Sequence, residues 1–266
     1  MFSQLYLSPL QTKPFNPILG ETVQLELGDS TRVYLEQTLN KPPTSNFLVL
    51  GKNYKSYGHI ITEASSGANS ITAKKTGNFI VEFKDGNKHS FFFPHIGIKG
   101  LSMGNRTFNY KHCAIVKDEA SNICLFLKFN PDEKGTIGKL FFSQKSSPDT
   151  VRYVFYNFRG QITNFSDINL EANGKHSLKK NAKNYGNIEG QWTKFLSYDN
   201  VKYWEREDYP LSRFYKSNFT LPSDSTKRDD LNLFIQNDEV AAQNSKEKME
   251  ELQRADRKLR EANQKK

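Results

Sequence analysis

Two short stretches of the sequence place cationic or amide side chains directly before prolines. The first runs Lys13-Pro-Phe-Asn-Pro-Ile-Leu-Gly-Glu21, and the second runs Leu35-Glu-Gln-Thr-Leu-Asn-Lys-Pro-Pro-Thr-Ser45. Proline fixes its own φ and holds the residue before it in an extended conformation. We therefore expect Lys13, Asn16 and Lys41 to point in fixed directions, where two ammonium groups and one amide could bind an anion.

A charged segment near the end of the sequence carries further groups of this kind. Residues from about Asn237 to Ala262 are rich in Glu, Lys, Arg and Ala, which predicts a helix. Lys246, Glu250 and Arg254 recur every four residues and therefore share one helical face. Beside it we expect an apolar stripe that docks the helix, formed by Met249, Leu252, Ala255 and Leu259. A solvent-exposed ladder of salt bridges or a coiled-coil segment is the alternative.

Both proline-rich stretches resemble motifs of the oxysterol-binding protein family. The first is similar to the family motif KPFNPxLGE, whereas an isolated Pro-Phe-Asn-Pro would indicate only a turn before a strand. The second resembles the signature EQVSHHPP but reads EQTLNKPP, so that Asn40 and Lys41 replace two histidines. Ile98–Arg106, Ile188–Trp192 and the C-terminal Asp-Ser-x-x-Arg segment with its charged helix also resemble the family. The resemblance covers roughly residues 11 to 262.

The resemblance implies a lipid-binding domain without enzymatic activity. It implies a large antiparallel β-barrel, complete or not, with a tunnel that carries a sterol or phospholipid between membranes. It also implies an anionic, phosphoinositide-like headgroup site at the tunnel mouth, formed by Lys13, Asn16, Asn40, Lys41, Lys246, Glu250 and Arg254. In the family a lid precedes the first motif, whereas only Met1–Thr12 precede it here. We expect either a fragment or an incomplete gene model, or a tunnel that is open or closed by a partner.

Alternating apolar and polar residues predict the strands that would position these side chains. The predicted strands are Val23–Leu27, Arg32–Glu36, Phe79–Phe83, Cys113–Val116, Ile123–Phe129 and Val151–Tyr156. Asp85-Gly86 and Asn173-Gly174 suit tight hairpin turns, and the close strand spacing indicates an antiparallel meander that curls into a barrel. We therefore predict a mainly β fold with C-terminal helices (α+β). Residues 1–220 would form a barrel domain lacking the N-terminal lid, and residues 221–266 a helical segment packed on it.

Composition restricts the partners and the compartment. The 38 Lys and Arg residues exceed the 29 Asp and Glu residues, which gives a formal charge of +9 and indicates acidic partners, either anionic lipid headgroups and membrane surfaces or nucleic acid. The family resemblance implies anionic membrane surfaces. No run of about 18 apolar residues predicts a transmembrane segment. Only two cysteines, Cys113 and Cys124, occur, which indicates a reducing cytoplasm. The family resemblance implies transient attachment to membranes or membrane contact sites. The five histidines lack metal-binding spacing, and we expect no metal, cofactor or catalytic residues.

Two other functions are compatible with the sequence. A basic β-domain could bind nucleic acid or an acidic protein through its C-terminal helix, in which case RNA or DNA affinity would fall steeply with salt. A lipid sensor or scaffold that does not transfer lipid is the other alternative. We favour the lipid carrier and expect no nucleic-acid partner.

Overall fold

The computed structural model describes Leu5 and residues 15–130, 152–155, 157–172, 175–209, 214–217 and 220–264. These residues are mainly β-strand, and two α-helices follow the strands at the C-terminal end, which confirms the predicted fold class. The chain divides into two compact units. One unit combines Thr12–Ile61 with Ser212–Lys266, and the other combines Met1–Gln11 with Thr62–Leu211. We call them the motif unit and the central unit.

The elements are numbered in chain order over the described residues. The first ten strands are β1 (Thr22–Leu27), β2 (Arg32–Asn40), β3 (Pro43–Leu50), β4 (Tyr54–Gly67), β5 (Ser70–Thr76), β6 (Phe79–Phe83), β7 (Lys88–Phe92), β8 (His95–Lys99), β9 (Thr107–Lys111) and β10 (Cys113–Asp118). The following strands are β11 (Ile123–Phe129), β12 (Arg152–Phe155), β13 (Asn157–Asn164), β14 (Ile168–Asn169), β15 (Ser177–Leu178), β16 (Gly186–Gln191), β17 (Phe195–Tyr198), β18 (Val201–Glu205) and β19 (Phe214–Lys216). The helices are α1 (Asp229–Ile235) and α2 (Glu239–Gln264).

The predicted strands agree with this list. Five of them lie within β1, β2, β6, β10 and β11, because alternation along a short run is a local property that pairing preserves. The sixth corresponds to β12, although its end residues Val151 and Tyr156 lie outside the described residues. The Asp85-Gly86 turn joins β6 to β7, and Gly86 adopts the positive φ that this turn requires. Asn173 and Gly174 lie outside the described residues.

The central unit is built from mostly antiparallel pairs. Its chain of neighbours runs β6, β7, β10, β11, β13, β16, β17 and β18, while β8 joins β5 to β9. β9 and β12 pair in parallel. Successive side chains point to opposite faces of a strand, so β10 contributes Ala114 to one apolar core and Cys113 and Ile115 to another. Trp192 is fully buried in the first core.

The motif unit places the two proline-rich stretches around a short antiparallel sheet. β1 pairs with β2 and β19, β2 pairs with β3, and β3 pairs with the first half of β4. Asn40 ends β2 and pairs with Pro43, so that Lys41 and Pro42 form the turn of a hairpin. The Lys41–Pro42 peptide bond is cis. α1 and α2 belong to the same unit, and α2 confirms the predicted charged helix to within two residues at each end.

The apolar stripe predicted to dock α2 is wrong. Leu252 and Leu259 are 67% and 64% exposed, and Ala255 is also exposed. The face of α2 that faces the protein instead combines small, polar and charged residues with Met249, the one stripe residue that is half-buried. Its buried or half-buried residues include Ala242, Lys246, Met249, Glu250, Gln253 and Arg257. Gln253 accepts a hydrogen bond from the Leu19 amide at Oε1 (2.9 Å), which explains why a polar side chain faces inward.

The described helices include none that could cross a membrane. The longer one, α2, carries charged residues along its whole length and lacks the apolar stretch that a membrane-spanning helix needs.

Candidate functional site

A buried ion network holds the N-terminal motif, and sequence reasoning missed it. Arg228 Nη1 lies 2.5 Å from Glu21 Oε2, and Arg228 Nη2 lies 2.6 Å from Asp230 Oδ2. The three side chains are 5%, 6% and 0% exposed, respectively. Burial by itself would lower the pKa of Arg228, but the hydrogen bonds and charges of Asp230 and Glu21 raise it above its ordinary value. The guanidinium is therefore a fixed cation between two carboxylates.

This network fixes the backbone of the motif. Arg228 Nη1 also donates to the carbonyl oxygen of Asn16 (2.8 Å), and Glu21 Oε2 accepts from the amide of Ile18 (2.8 Å). The amide of Gly20 donates to the Gln37 carbonyl, and the amide of Gln37 donates to the Glu21 carbonyl. Gly20 has φ of +82°, a left-handed conformation that favours glycine. The motif is thus attached to β2 and to the segment before α1.

A second buried carboxylate joins the same segment to β1. Asp224 is 2% exposed and accepts hydrogen bonds from the amide and hydroxyl of Thr226 and from the amide of Gln24. Burial would raise the pKa of Asp224, but these hydrogen bonds lower it below its ordinary value. Gln24 Oε1 accepts from the amide of Leu221 (2.9 Å), so the contact between the two chain segments is reciprocal.

On α2, two of the three predicted headgroup residues form an ion pair beside the motif. Lys246 Nζ lies 3.7 Å from Glu250 Oε1 and 5.7 Å from the ring centroid of Phe15. The ring of Phe15 also meets that of Phe234 of α1 edge to face, with centroids 5.7 Å apart. Arg254 lies one turn further along α2 and is exposed. The structure therefore brings Lys246 and Glu250 to the motif through Phe15.

The remaining predicted site residues lie at exposed or half-buried positions of the motif unit. Asn16 is exposed, and its backbone carbonyl is the group that Arg228 holds. Asn40 is half-buried at the end of β2, and Lys41 is exposed in the following turn. Lys13 lies outside the described residues.

Other residues of the signature stretch stabilise its hairpin. Gln37 donates from Nε2 to the Leu39 carbonyl (2.6 Å) and accepts at Oε1 from the hydroxyl of Ser45 (2.6 Å). Asn46 donates from Nδ2 to the hydroxyl of Thr38 (2.7 Å). The contacts with Ser45 and Asn46 link β2 to β3, so they help to fix the register that sets the positions of the turn residues.

A groove of about 460 Å³ opens on the motif unit. Its lining residues are Thr22, Gln24, Tyr34, Leu35, Glu36, Asn46, Phe47, Leu48, Ser217 and Leu221. Apolar side chains at its surface remain partly accessible, since Leu35 is 38% and Leu48 36% exposed. The volume and the mixed lining are typical of a pocket for a small amphiphilic molecule.

Comparison with known proteins identifies the family. The family model described as Oxysterol-binding protein matches residues 1–266. The chain belongs to the oxysterol-binding protein family. Oxysterol-binding protein 9 of Dictyostelium discoideum is 33% identical over 233 residues, which cover 86% of this chain and 52% of that protein. Oxysterol-binding protein-related protein 1 of Mus musculus is 29% identical over 124 residues, which cover 45% of this chain and 13% of that protein.

Solved structures of ORD domains share the fold. The Osh3 ORD of Saccharomyces cerevisiae in complex with PI(4)P has a TM-score of 0.68 at 19% identity, and the match covers 98% of this chain and 68% of that one. The Osh1 ORD in complex with cholesterol has a TM-score of 0.65 at 16% identity, with 95% and 63% covered. This member of the oxysterol-binding protein family spans about half the length of the Dictyostelium relative that it matches.

The motifs marked the family correctly, but the roles of several residues became visible only in the structure. Glu21 belongs to the first motif, and Asp224 and Arg228 are the fixed residues of the Asp-Ser-x-x-Arg segment. The sequence signal for these residues was their position within motifs that resemble those of the family. Nothing in the sequence indicated that the two motifs contact one another.

Proposed function

We propose that this chain binds a lipid and carries it between membranes without catalysing a reaction. A sterol or the chains of a phospholipid would occupy an apolar cavity, and an anionic, phosphoinositide-like headgroup would bind at its mouth. The proposal rests chiefly on the Lys246–Glu250 pair beside Phe15, since a cation is placed against a motif that Arg228 holds rigidly. The complexes of the Osh3 domain with PI(4)P and of the Osh1 domain with cholesterol or ergosterol support it.

The proposed headgroup contacts divide by chemistry. Ammonium and guanidinium groups would neutralise the phosphates, the two amides would donate hydrogen bonds, and Glu250 would orient Lys246 or accept a headgroup hydroxyl. The cations are Lys13, Lys41, Lys246 and Arg254, and the amides are those of Asn16 and Asn40. A cation and a phosphate 4 Å apart near a protein surface attract one another by about 4 kcal/mol before desolvation is counted. Each methylene group buried in the cavity would contribute roughly 0.8 kcal/mol.

Peripheral attachment to membranes is part of this proposal. The formal charge of +9 favours approach to anionic membrane surfaces, because each cation near such a surface contributes about 1 kcal/mol. We place this activity in the cytoplasm, with transient visits to membranes or membrane contact sites.

Extraction from liposomes tests the proposal. The purified chain, incubated with vesicles that contain sterol and anionic phospholipid, should remove about one lipid per chain, measured by mass spectrometry of the protein fraction. Failure to remove any lipid, combined with steeply salt-dependent binding to RNA, would favour a nucleic-acid-binding domain. Binding to vesicles without removal of lipid would favour a sensor or scaffold.

Charge reversal on α2 tests the headgroup site itself. Lys246→Glu should weaken binding of the anionic phospholipid and leave sterol extraction nearly unchanged, because two carboxylates would then face one another beside Phe15. Arg254→Glu and Lys13→Glu should act in the same direction. The matched control is Lys248→Glu, since Lys248 lies on the exposed side of the same helix. Equal loss of both lipids in Lys246→Glu, or an equal effect of Lys248→Glu, would refute the assignment.

A further inference from the structure

The central unit contains a cavity of about 330 Å³ that lies between an apolar wall and a basic one. The apolar wall consists of Phe91, Phe92, Phe93 and Leu170. The polar wall consists of Lys74, Lys75, His95, Glu171 and His176, together with Thr76 and the backbone of Gly77 and Ala172. Among these described lining residues Glu171 is the one carboxylate, so the cationic and imidazole groups outnumber it.

The lysines of β5 are held at this cavity by their surroundings. Lys74 Nζ donates to the carbonyl oxygen of Ala172 (2.9 Å), which ties β5 to the segment after β14. Burial lowers the pKa of the Lys75 ammonium, because removal from water disfavours its charged form. Lys74, however, is the lysine whose charge lowers the pKa values of His95 and His176, so its ammonium lies beside these imidazoles.

Three imidazoles surround the polar wall. The rings of His95 and His112 meet edge to face with centroids 4.8 Å apart. His176 lies edge to face with Phe92 at 6.0 Å, and its Nδ1 accepts from the amide of Glu171 (3.0 Å). The second ring nitrogen of His176, Nε2, is therefore the protonated one when this imidazole is neutral.

The charged groups that act on these imidazoles lie on β5, on β9 and between β14 and β15. Burial, and then His112, Lys74, His176 and Lys111, lower the pKa of His95 to about 4. Burial, Lys175 and Lys111 lower the pKa of His112, while Glu171 opposes them. Burial lowers the pKa of His176, Glu171 raises it and Lys74 lowers it further. Lysines therefore outnumber the single carboxylate around these imidazoles, and both burial and the positive charges favour the neutral form of each ring.

We infer that this cavity binds an organic anion, that is, a carboxylate, sulfonate or phosphate group attached to an apolar body. The apolar wall would contact the body, and the Lys74 ammonium and the imidazole N–H groups of His95 and His176 would donate to the anionic group. The volume suits a molecule of about the size of a substituted benzene ring and lies at the lower end of ordinary ligand pockets. None of the described residues proposed for the lipid headgroup site lines this cavity.

Binding of an anion must be linked to uptake of protons. An anion beside His95 and His176 favours their charged forms, so the pKa values of the bound state exceed those of the free protein. The additional affinity is therefore present below the bound-state pKa values and is lost as the pH rises through them. A sulfonate probe isolates this effect, because it stays ionised over the whole range.

The test uses nuclear magnetic resonance of the imidazole groups in the 266-residue chain, titrated with benzenesulfonate. The probe should shift the resonances of His95 and His176, and its affinity should rise at least about fivefold from pH 8 to about pH 5.5. The uncharged analogue benzyl alcohol should shift them much less. If no cavity histidine responds to benzenesulfonate, or if benzyl alcohol binds equally well, the inference is wrong.

Two variants locate the anion. Lys74→Met removes the charge and shortens the side chain by one atom, and it should lower the affinity for benzenesulfonate about tenfold. Lys84→Met removes the same charge from the exposed β6–β7 turn and should leave the affinity unchanged. Equal affinities of the two variants would contradict the inference even if both proteins bind the probe.

The anion could be a soluble molecule or a lipid headgroup, and vesicles distinguish the two sources. Phosphatidylcholine vesicles that contain phosphatidic acid are compared with vesicles of phosphatidylcholine alone. If the acidic vesicles displace benzenesulfonate and shift the same histidines, the ligand is supplied by a membrane. If they do not, while benzenesulfonate still binds, the natural ligand is a soluble anion.

Discussion

Replacement of Arg228 by leucine tests whether the buried ion network holds the motif in place. Arg228→Leu removes the cation that pairs with Glu21 and Asp230, which are 6% and 0% exposed. Loss of one partner from a buried ion pair costs about 3–5 kcal/mol. The lost hydrogen bond to the Asn16 carbonyl adds about 1 kcal/mol. The sum of about 4–6 kcal/mol is a large share of the ~5–15 kcal/mol that stabilises a typical domain.

Hydrogen exchange measures this loss where it occurs. The amides of Gly20 and Gln37 bond between the motif and β2, so opening of the network should expose both. Their exchange should accelerate by about three orders of magnitude or more in Arg228→Leu. Unfolding followed by tryptophan fluorescence would report on other parts of the chain, because both tryptophans, Trp192 and Trp204, belong to the central unit.

An arginine of the same unit that lies outside the network provides the control. Arg257 pairs with Glu261 at 3.6 Å on α2, and the glutamate is 62% exposed, so Arg257→Leu should cost less than about 1 kcal/mol. The double variant Glu21→Gln, Arg228→Leu should lose less stability than the two single variants lose in total. The difference should exceed about 1 kcal/mol, because both substitutions remove the same contact. If Arg228→Leu accelerates exchange no more than Arg257→Leu does, the network does not hold the motif.

Three further predictions concern acid stability, thiol reactivity and headgroup selection. Asp224→Asn should reduce stability at neutral pH and have progressively less effect as the pH falls through the lowered pKa of Asp224. The carboxylate stabilises the fold fully above its unfolded pKa, and this contribution is lost below its folded pKa. Urea unfolding at pH values on both sides of the folded pKa measures the difference. Burial raises the pKa values of the Cys113 and Cys124 thiols to about 11. Iodoacetamide at pH 8 should therefore alkylate them at least about 100-fold more slowly than an exposed thiol. Comparable alkylation rates would contradict their burial. The double variant Asn40→His, Lys41→His should gain phosphoinositide affinity as the pH falls through about 6.5, whereas binding by the natural protein should vary less with pH. A headgroup competition assay at several pH values measures this. If the variant shows no such gain, neither residue belongs to the proposed site.

Short-range patterns were sufficient to predict much of the secondary structure. The alternation in Ile123–Phe129 predicted β11, and the dipeptide Asp85-Gly86 predicted the turn between β6 and β7. Both signals depend on a few neighbouring residues, since strand alternation and turn geometry arise from the local backbone. The predicted start and end of α2 were similarly close, because its composition favours a helix along its whole length.

The buried face of α2 could not be read from its hydrophobic pattern. Leu252 and Leu259 have the spacing of a core stripe, yet they are exposed, and Gln253 faces the protein because it accepts a hydrogen bond from Leu19. The choice of face depends on which partners the rest of the fold presents. That information is not contained in the helix itself.

The sequence by itself determined the family, the mainly β character and the position of the charged helix, because motif spacing and periodicity survive in a single segment of chain. Only the tertiary structure decided what Glu21 does, since its partner Arg228 lies 207 positions away along the chain. The same holds for the cavity of the central unit, where Lys74, His95 and His176 come from three separate segments. Contacts over such separations arise from strand pairing and burial acting together, and these are properties of the folded chain as a whole.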